Sequence, residues 1–205
     1  MSLLSLLACA DELPPIPDGL VALEDNSASF PADEGLNLLS GEEDDYDWVH
    51  AAGRIDAPVA EVWAAIQVED VFIDRRQVAE WSITTDTEPE YDVSMVVHNI
   101  VHDVITVEYD TAWRQSLVYG PKDDMELVAV RFEKIDGTDV IERMVASLHL
   151  EKVDEETTHW SFVEHLKALQ RGPEPIVIFA EDLFDETLMT LNGEELPVYE
   201  EEGED

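Results

Sequence analysis

The chain has 205 residues and is 45% hydrophobic, enough for one ordinary domain with a real core and flanking tails. Asp and Glu number 49 against 11 Lys and Arg, a formal net charge of -38. Such a surface repels polyanions, and no segment clusters the basic residues that a nucleic-acid or anionic-membrane partner requires.

Self-repulsion at this charge weakens the compact state in low salt, and added salt screens it. An acid-rich, Lys-poor surface fits halophilic adaptation, and it also fits a plain solubility surface. Cys9 is the single cysteine, so no intrachain disulfide forms. No run reaches the ~20 apolar residues of a spanning helix.

Leu6-Leu7-Ala8-Cys9 resembles a bacterial lipobox, the pattern at which a signal peptide is cut and the cysteine acylated. Acylation of Cys9 would anchor the chain to a membrane without a span and place it in the cell envelope. The apolar run is short and no Lys or Arg precedes it, so a chance cysteine on a cytoplasmic protein stays open. Residues 11–45 are acidic and broken by Pro and Gly, which reads as a linker, extended or partly packed. Residues 194–205 read as a mobile acidic tail.

Between them, residues 46–193 carry regular patterns. Residues 46–55 read as a first strand. Pro58 opens a helix in which Val59, Val62, Trp63 and Ile66 share one face. A second short helix starts near Asp70. The period then drops to two. Trp81 and Ile83 mark one strand, and Val93, Met95 and Val97 another. Val107, Tyr109, Thr111 and Trp113 share a face of the next, as do Val128, Val130 and Phe132 of the one after. Met144, Ala146, Leu148 and Leu150, then Trp160, Phe162, Glu164 and Leu166, complete the set. Alternation of this kind predicts an antiparallel sheet with one buried and one wet face. Pro173 and Pro175 open a long helix with Ile176, Phe179, Leu183, Phe184, Leu188 and Leu191 on one stripe, and Asn192-Gly193 ends it. The fold class is therefore α+β: about seven curved antiparallel strands wrapped around a long C-terminal helix, with two short helices after the first strand.

Residues 55–66, IDAPVAEVWAAI, resemble the strand-to-helix entry of the START/Bet v 1-like superfamily, also called SRPBCC or helix-grip proteins. The element order that follows agrees with it. The resemblance implies a cavity between sheet and long helix. Its expected lining is Trp81, Ile83, Tyr109, Trp113, Phe132, Met144, Leu148, Trp160, Phe162, Phe179 and Leu183, a wall suited to a flat or greasy ligand. Each of these residues also fits plain core packing.

Few residues offer chemistry. Glu164 shares the inward face of its strand, where a desolvated carboxyl group serves as acid or base; pairing with Arg143 or Lys167 would silence it. Tyr109 and Arg114 are expected near the cavity mouth. His98 and His102, with Asp103 adjacent, project from one strand face as two potential metal ligands. No cofactor motif is present. The sequence favours binding of a hydrophobic small molecule, a lipid or an aromatic metabolite, over catalysis. A cyclase/dehydratase-like enzyme using Glu164, His98 or Tyr109 is the alternative, and a protein-interaction domain is the third.

Overall fold

The computed structural model describes residues 15–102, 105–169 and 172–199. Cys9 and Asp103 lie outside the described residues. The elements are β1 (Gly35–Glu42), β2 (Asp47–Ile55), α1 (Val59–Ile66), α2 (Glu69–Phe72), β3 (Glu80–Thr85), β4 (Val93–His102), β5 (Thr106–Tyr119), β6 (Leu127–Gly137), β7 (Ile141–Asp154), β8 (Thr157–Ala168) and α3 (Glu174–Asn192). The eight strands form one curved sheet in the order β1-β2-β8-β7-β6-β5-β4-β3, every pair antiparallel.

The periodicity places most strands and their faces as expected. Met95 and Val97 of β4, Val107, Tyr109 and Trp113 of β5, and Trp160, Phe162 and Glu164 of β8 are all buried. The sheet has one strand more than the expected seven. β1 arises within the stretch read as linker and pairs with β2 along its whole length. Its inward signal is small: Leu36 and Leu38 pack on the core while Leu39 stays exposed.

A second departure concerns the outer face, expected to be wet. Residues 20–28 run across it as a strap. Leu20 is fully buried, and its carbonyl accepts from His149 Nε2 at 3.0 Å. Asn26 Nδ2 donates to the Ala51 carbonyl at 2.8 Å and to Ser161 Oγ at 3.0 Å. Leu23 N–H donates to Ser147 Oγ at 3.1 Å, and Arg131 Nη1 donates to the Val21 carbonyl at 2.8 Å. These side-chain contacts satisfy strap backbone groups that no ladder reaches. They also explain why β2 and β8 are buried on both faces. At the other end, residues 194–199 are docked, contrary to a mobile tail. Leu196 packs on the core, the Pro197 carbonyl accepts from Arg75 Nη1 at 3.0 Å, and Tyr199 Oη donates to Glu186 Oε1 at 2.8 Å.

The inner face is closed by α3. Pro173 precedes its first turn, and Gly193 ends it in the left-handed region at φ 68°, where a side chain would be strained. Ile176, Phe179, Ala180, Leu183 and Phe184 are buried against the sheet. At one end α1 fills the remaining space and packs on α3. There the Phe184 ring sits directly on the backbone of Gly53 in β2, where a Cβ would overlap it. Gly53→Ala is expected to cost about 1–3 kcal/mol by overpacking, read as a lower urea midpoint. Adding Phe184→Leu should recover part of the loss. An unchanged midpoint would contradict this seating of the helix.

Candidate functional site

An aromatic series runs through the interior. Phe72 lies 5.4 Å from Trp113, Trp113 stacks on Phe132 at 4.2 Å, and Phe132 meets Phe179 edge-on at 6.0 Å. Phe179 meets Phe162 at 6.2 Å, Phe162 stacks on Trp160 at 5.4 Å, and Trp160 meets Phe184 at 5.6 Å. The two ends of this series differ. Around Trp160, Phe162, Leu148 and Leu183 the interior is solid, because α1 and Phe184 fill it. Around Trp113, Phe132 and Phe179 it opens into a cavity of about 170 Å³, bounded by the first turn of α3 and the chain after α2.

Of the residues expected to line it, Tyr109, Trp113, Phe132, Met144 and Phe179 do so. Leu148, Trp160, Phe162 and Leu183 belong to the packed core instead. Trp81 and Ile83 are half-buried on β3 near the sheet edge, away from the cavity, and Trp81 Nε1 donates to Glu69 Oε1 at 2.6 Å. Alternation tells which face a residue occupies, not where along the helix the space remains.

Glu164 enters the cavity wall from β8 and is 1% exposed. Its Oε2 has no hydrogen-bond partner. The two cations expected as its partners are elsewhere: Lys167 bridges Asp45 and Glu142, each at 2.8 Å, and Arg143 is exposed. Burial raises the Glu164 pKa well above the carboxylate range, and the Asp74 charge adds to the effect. Asp74, in the chain after α2, is a second carboxyl group of the wall, and sequence reasoning missed it. Its signal was an acid directly following Val71-Phe72-Ile73, an apolar run that docks inward. Gln77 Nε2 donates to Asp74 Oδ2 at 2.8 Å. Burial lifts Asp74 to about 6. Tyr109 is also pushed up, first by burial and then by the charges of Asp74 and Glu164. Asn99 completes the polar wall; its Nδ2 donates to the Val97 carbonyl at 3.1 Å.

His98 and His102 do share a face, the outer one, and neither borders the cavity. His98 Nδ1 is 2.7 Å from Asp110 Oδ1, and His102 Nε2 is 3.4 Å from Glu80 Oε1, so each imidazole meets its own carboxylate. Arg114, expected at the cavity mouth, also lies outside it, held by Glu88 at 2.8 Å and Glu133 at 2.5 Å. A tighter group sits under the strap, where Glu24 Oε1 lies 2.8 Å from His50 Nε2 and 3.0 Å from His165 Nε2. Ser27 N–H donates to His50 Nδ1 at 2.8 Å, so the neutral ring carries its proton on Nε2 and donates it to Glu24. A metal on that Nε2 would need the proton on Nδ1, at the cost of the bond from Ser27 N–H. The trio is a hydrogen-bonded clasp for the strap.

Neither a family model nor a curated protein sequence matches the chain. Solved structures do, and together with the geometry above they give it the helix-grip fold of the START/Bet v 1-like superfamily. It is similar to human StAR-related lipid transfer protein 5, at 10% identity and TM-score 0.55, covering 82% of this chain and 88% of that one. It is similar to a STAR-related lipid transfer protein fragment from Xanthomonas axonopodis, at 15% identity and TM-score 0.53, covering 82% and 98%. The lipid transfer and protein localization domain of human StarD13 matches at 9% identity and TM-score 0.51, covering 81% and 86%. At these identities the likeness is one of fold. No helix of the described residues is long and apolar enough to cross a membrane.

The raised Glu164 pKa has a consequence for stability. The folded chain holds this proton where the unfolded chain has released it, so stability is fullest below the unfolded pKa near ~4.3. It falls as pH rises through the higher folded value. Glu164→Gln keeps the shape and removes the ionisation. Thermal melting should show the variant gaining on the parent between pH 5 and pH 8. Parallel melting profiles would contradict a buried, neutral Glu164.

Proposed function

We propose that the protein binds a small hydrophobic molecule, about one aromatic ring in size, in the cavity at the N-terminal end of α3. The carrying observation is a space of about 170 Å³ walled by Trp113, Phe132, Phe179 and aliphatic side chains. Sites for drug-sized ligands occupy roughly 300–1,000 Å³. An apolar cavity of about 150 Å³ takes benzene. The size therefore favours an aromatic metabolite over an intact two-chain lipid, for which sheet and helix would have to part. The likeness in fold to StAR-related lipid transfer proteins supports a hydrophobic cargo in the general sense. A carrier or sensor needs nothing more than this wall.

Acid–base turnover of the bound molecule is the second reading. One observation favours it: Glu164, Asp74 and Tyr109 line the same cavity. No hydrogen bond joins Glu164 to Tyr109, so binding ranks first.

Native mass spectrometry of protein purified from its own cells is expected to show a co-purifying adduct of one- or two-ring mass. Met144→Trp, which fills the cavity from β7, should remove it. An adduct of phospholipid mass, or one that survives the substitution, would contradict the reading.

A further inference from the structure

The polar part of the cavity wall has a sign. Among the described residues its two carboxylic acids are Glu164 and Asp74, and no described lysine, arginine or histidine lines it. Glu164 is 1% exposed, it lines the cavity, and its Oε2 has no partner among the described residues. A buried polar atom without a partner is costly, and a side chain that carries one in a cavity wall is open to a ligand's hydrogen bond. Two described cations near this wall, Arg75 and Arg76, are engaged elsewhere. Arg75 Nη2 is 2.8 Å from Glu186, and Arg76 holds Asp182 through two bonds of 2.8 Å while lying over the Tyr199 ring at 4.4 Å. Asp74 is held by Gln77 at 2.8 Å, which fixes its carboxylate in the wall.

The rest of the cavity matches this sign. Aromatic faces carry negative potential and attract cations, and Trp113, Phe132, Phe179 and Tyr109 present such rings. Outside, the net charge of -38 draws cations to the protein and repels carboxylates and phosphates.

We propose, building on the cavity reading above, that the ligand is a small apolar cation: a one-ring body bearing a protonated amine whose N–H donates to Glu164, with Asp74 as the second carboxylate. The ammonium keeps its proton, and Glu164 meets it as the carboxylate, releasing its own proton to solvent. A fatty acid or phosphate ester would instead set its negative charge beside Asp74 and Glu164, with no counter-charge among the described lining residues.

The test uses the full chain and three probes of one size: benzylamine, benzyl alcohol and benzoate. Binding is followed by tryptophan fluorescence and by NMR shifts of cavity residues. Benzylamine is expected to bind at least about tenfold more tightly than benzyl alcohol, since a charge-assisted hydrogen bond is about twice as strong as a neutral one. Benzoate should not bind. Glu164→Gln should abolish the preference for the amine while benzyl alcohol still binds, which also reports that the variant is folded. If Glu164→Gln does not fold, Asp74→Asn serves, with a smaller loss of the same preference.

Equal binding of amine and alcohol would overturn the cation inference and leave the cavity reading standing. Amine binding unchanged by Glu164→Gln would assign it to the acidic surface and overturn the inference. Binding of none of the probes would bring down both.

Discussion

The structure depends on one steric fit, the seating of α3 on the inner face of the sheet. Phe184 rests on the bare backbone of Gly53, so helix and β2 approach as closely as a ring and a peptide allow. Trp160, Leu183 and α1 then fill that end with buried side chains. At the other end of α3 the contact is looser, and a cavity remains beside Phe179, Phe132 and Trp113.

The same fit explains what was legible in the sequence. Strict alternation over β4 to β8 fixed which residues face inward, and the i, i+3, i+4 spacing in α1 and α3 fixed the faces that meet them. Glu164 was readable as inward because Phe162 and Leu166, two residues to either side, share its face of β8. How far along the interior each residue sits was not readable. Leu148 and Met144 share a strand face, yet one is packed solid and the other borders space. The linker's packing was left open between extended and partly packed because the strap's hold is polar: Asn26, His50 and His149 reach backbone or side-chain partners that are distant in sequence. β1 was missed because only Leu36 and Leu38 turn inward. Asp74 was missed because a loop residue acquires its surroundings only once α2 and β3 are in place.

The strap and the docked C-terminal segment answer a further question, how a chain of charge -38 keeps a compact state. Its few cations are placed where they bridge elements. Arg75 ties α3 and the C-terminal segment to the chain after α2, Arg114 joins Glu88 and Glu133, and Lys167 joins Asp45 and Glu142. Glu164, in contrast, has no cation among the described residues of a wall made mostly of rings and aliphatic groups, with Asp74 as its other acid. An apolar pocket with a single unanswered polar atom is how binding sites combine affinity with orientation. Acidity on the surface and acidity in the cavity thus point to the same kind of guest.

The central claim is that space for one ring exists between α3 and the sheet beside Trp113 and Phe132. Crystals soaked with iodobenzene test it directly, because anomalous scattering locates the iodine without reference to any assumed ligand. The account predicts a strong peak inside the protein within contact of Phe132 and Phe179. Iodine found only on the surface, with these rings packed against one another and no gap between them, would contradict it.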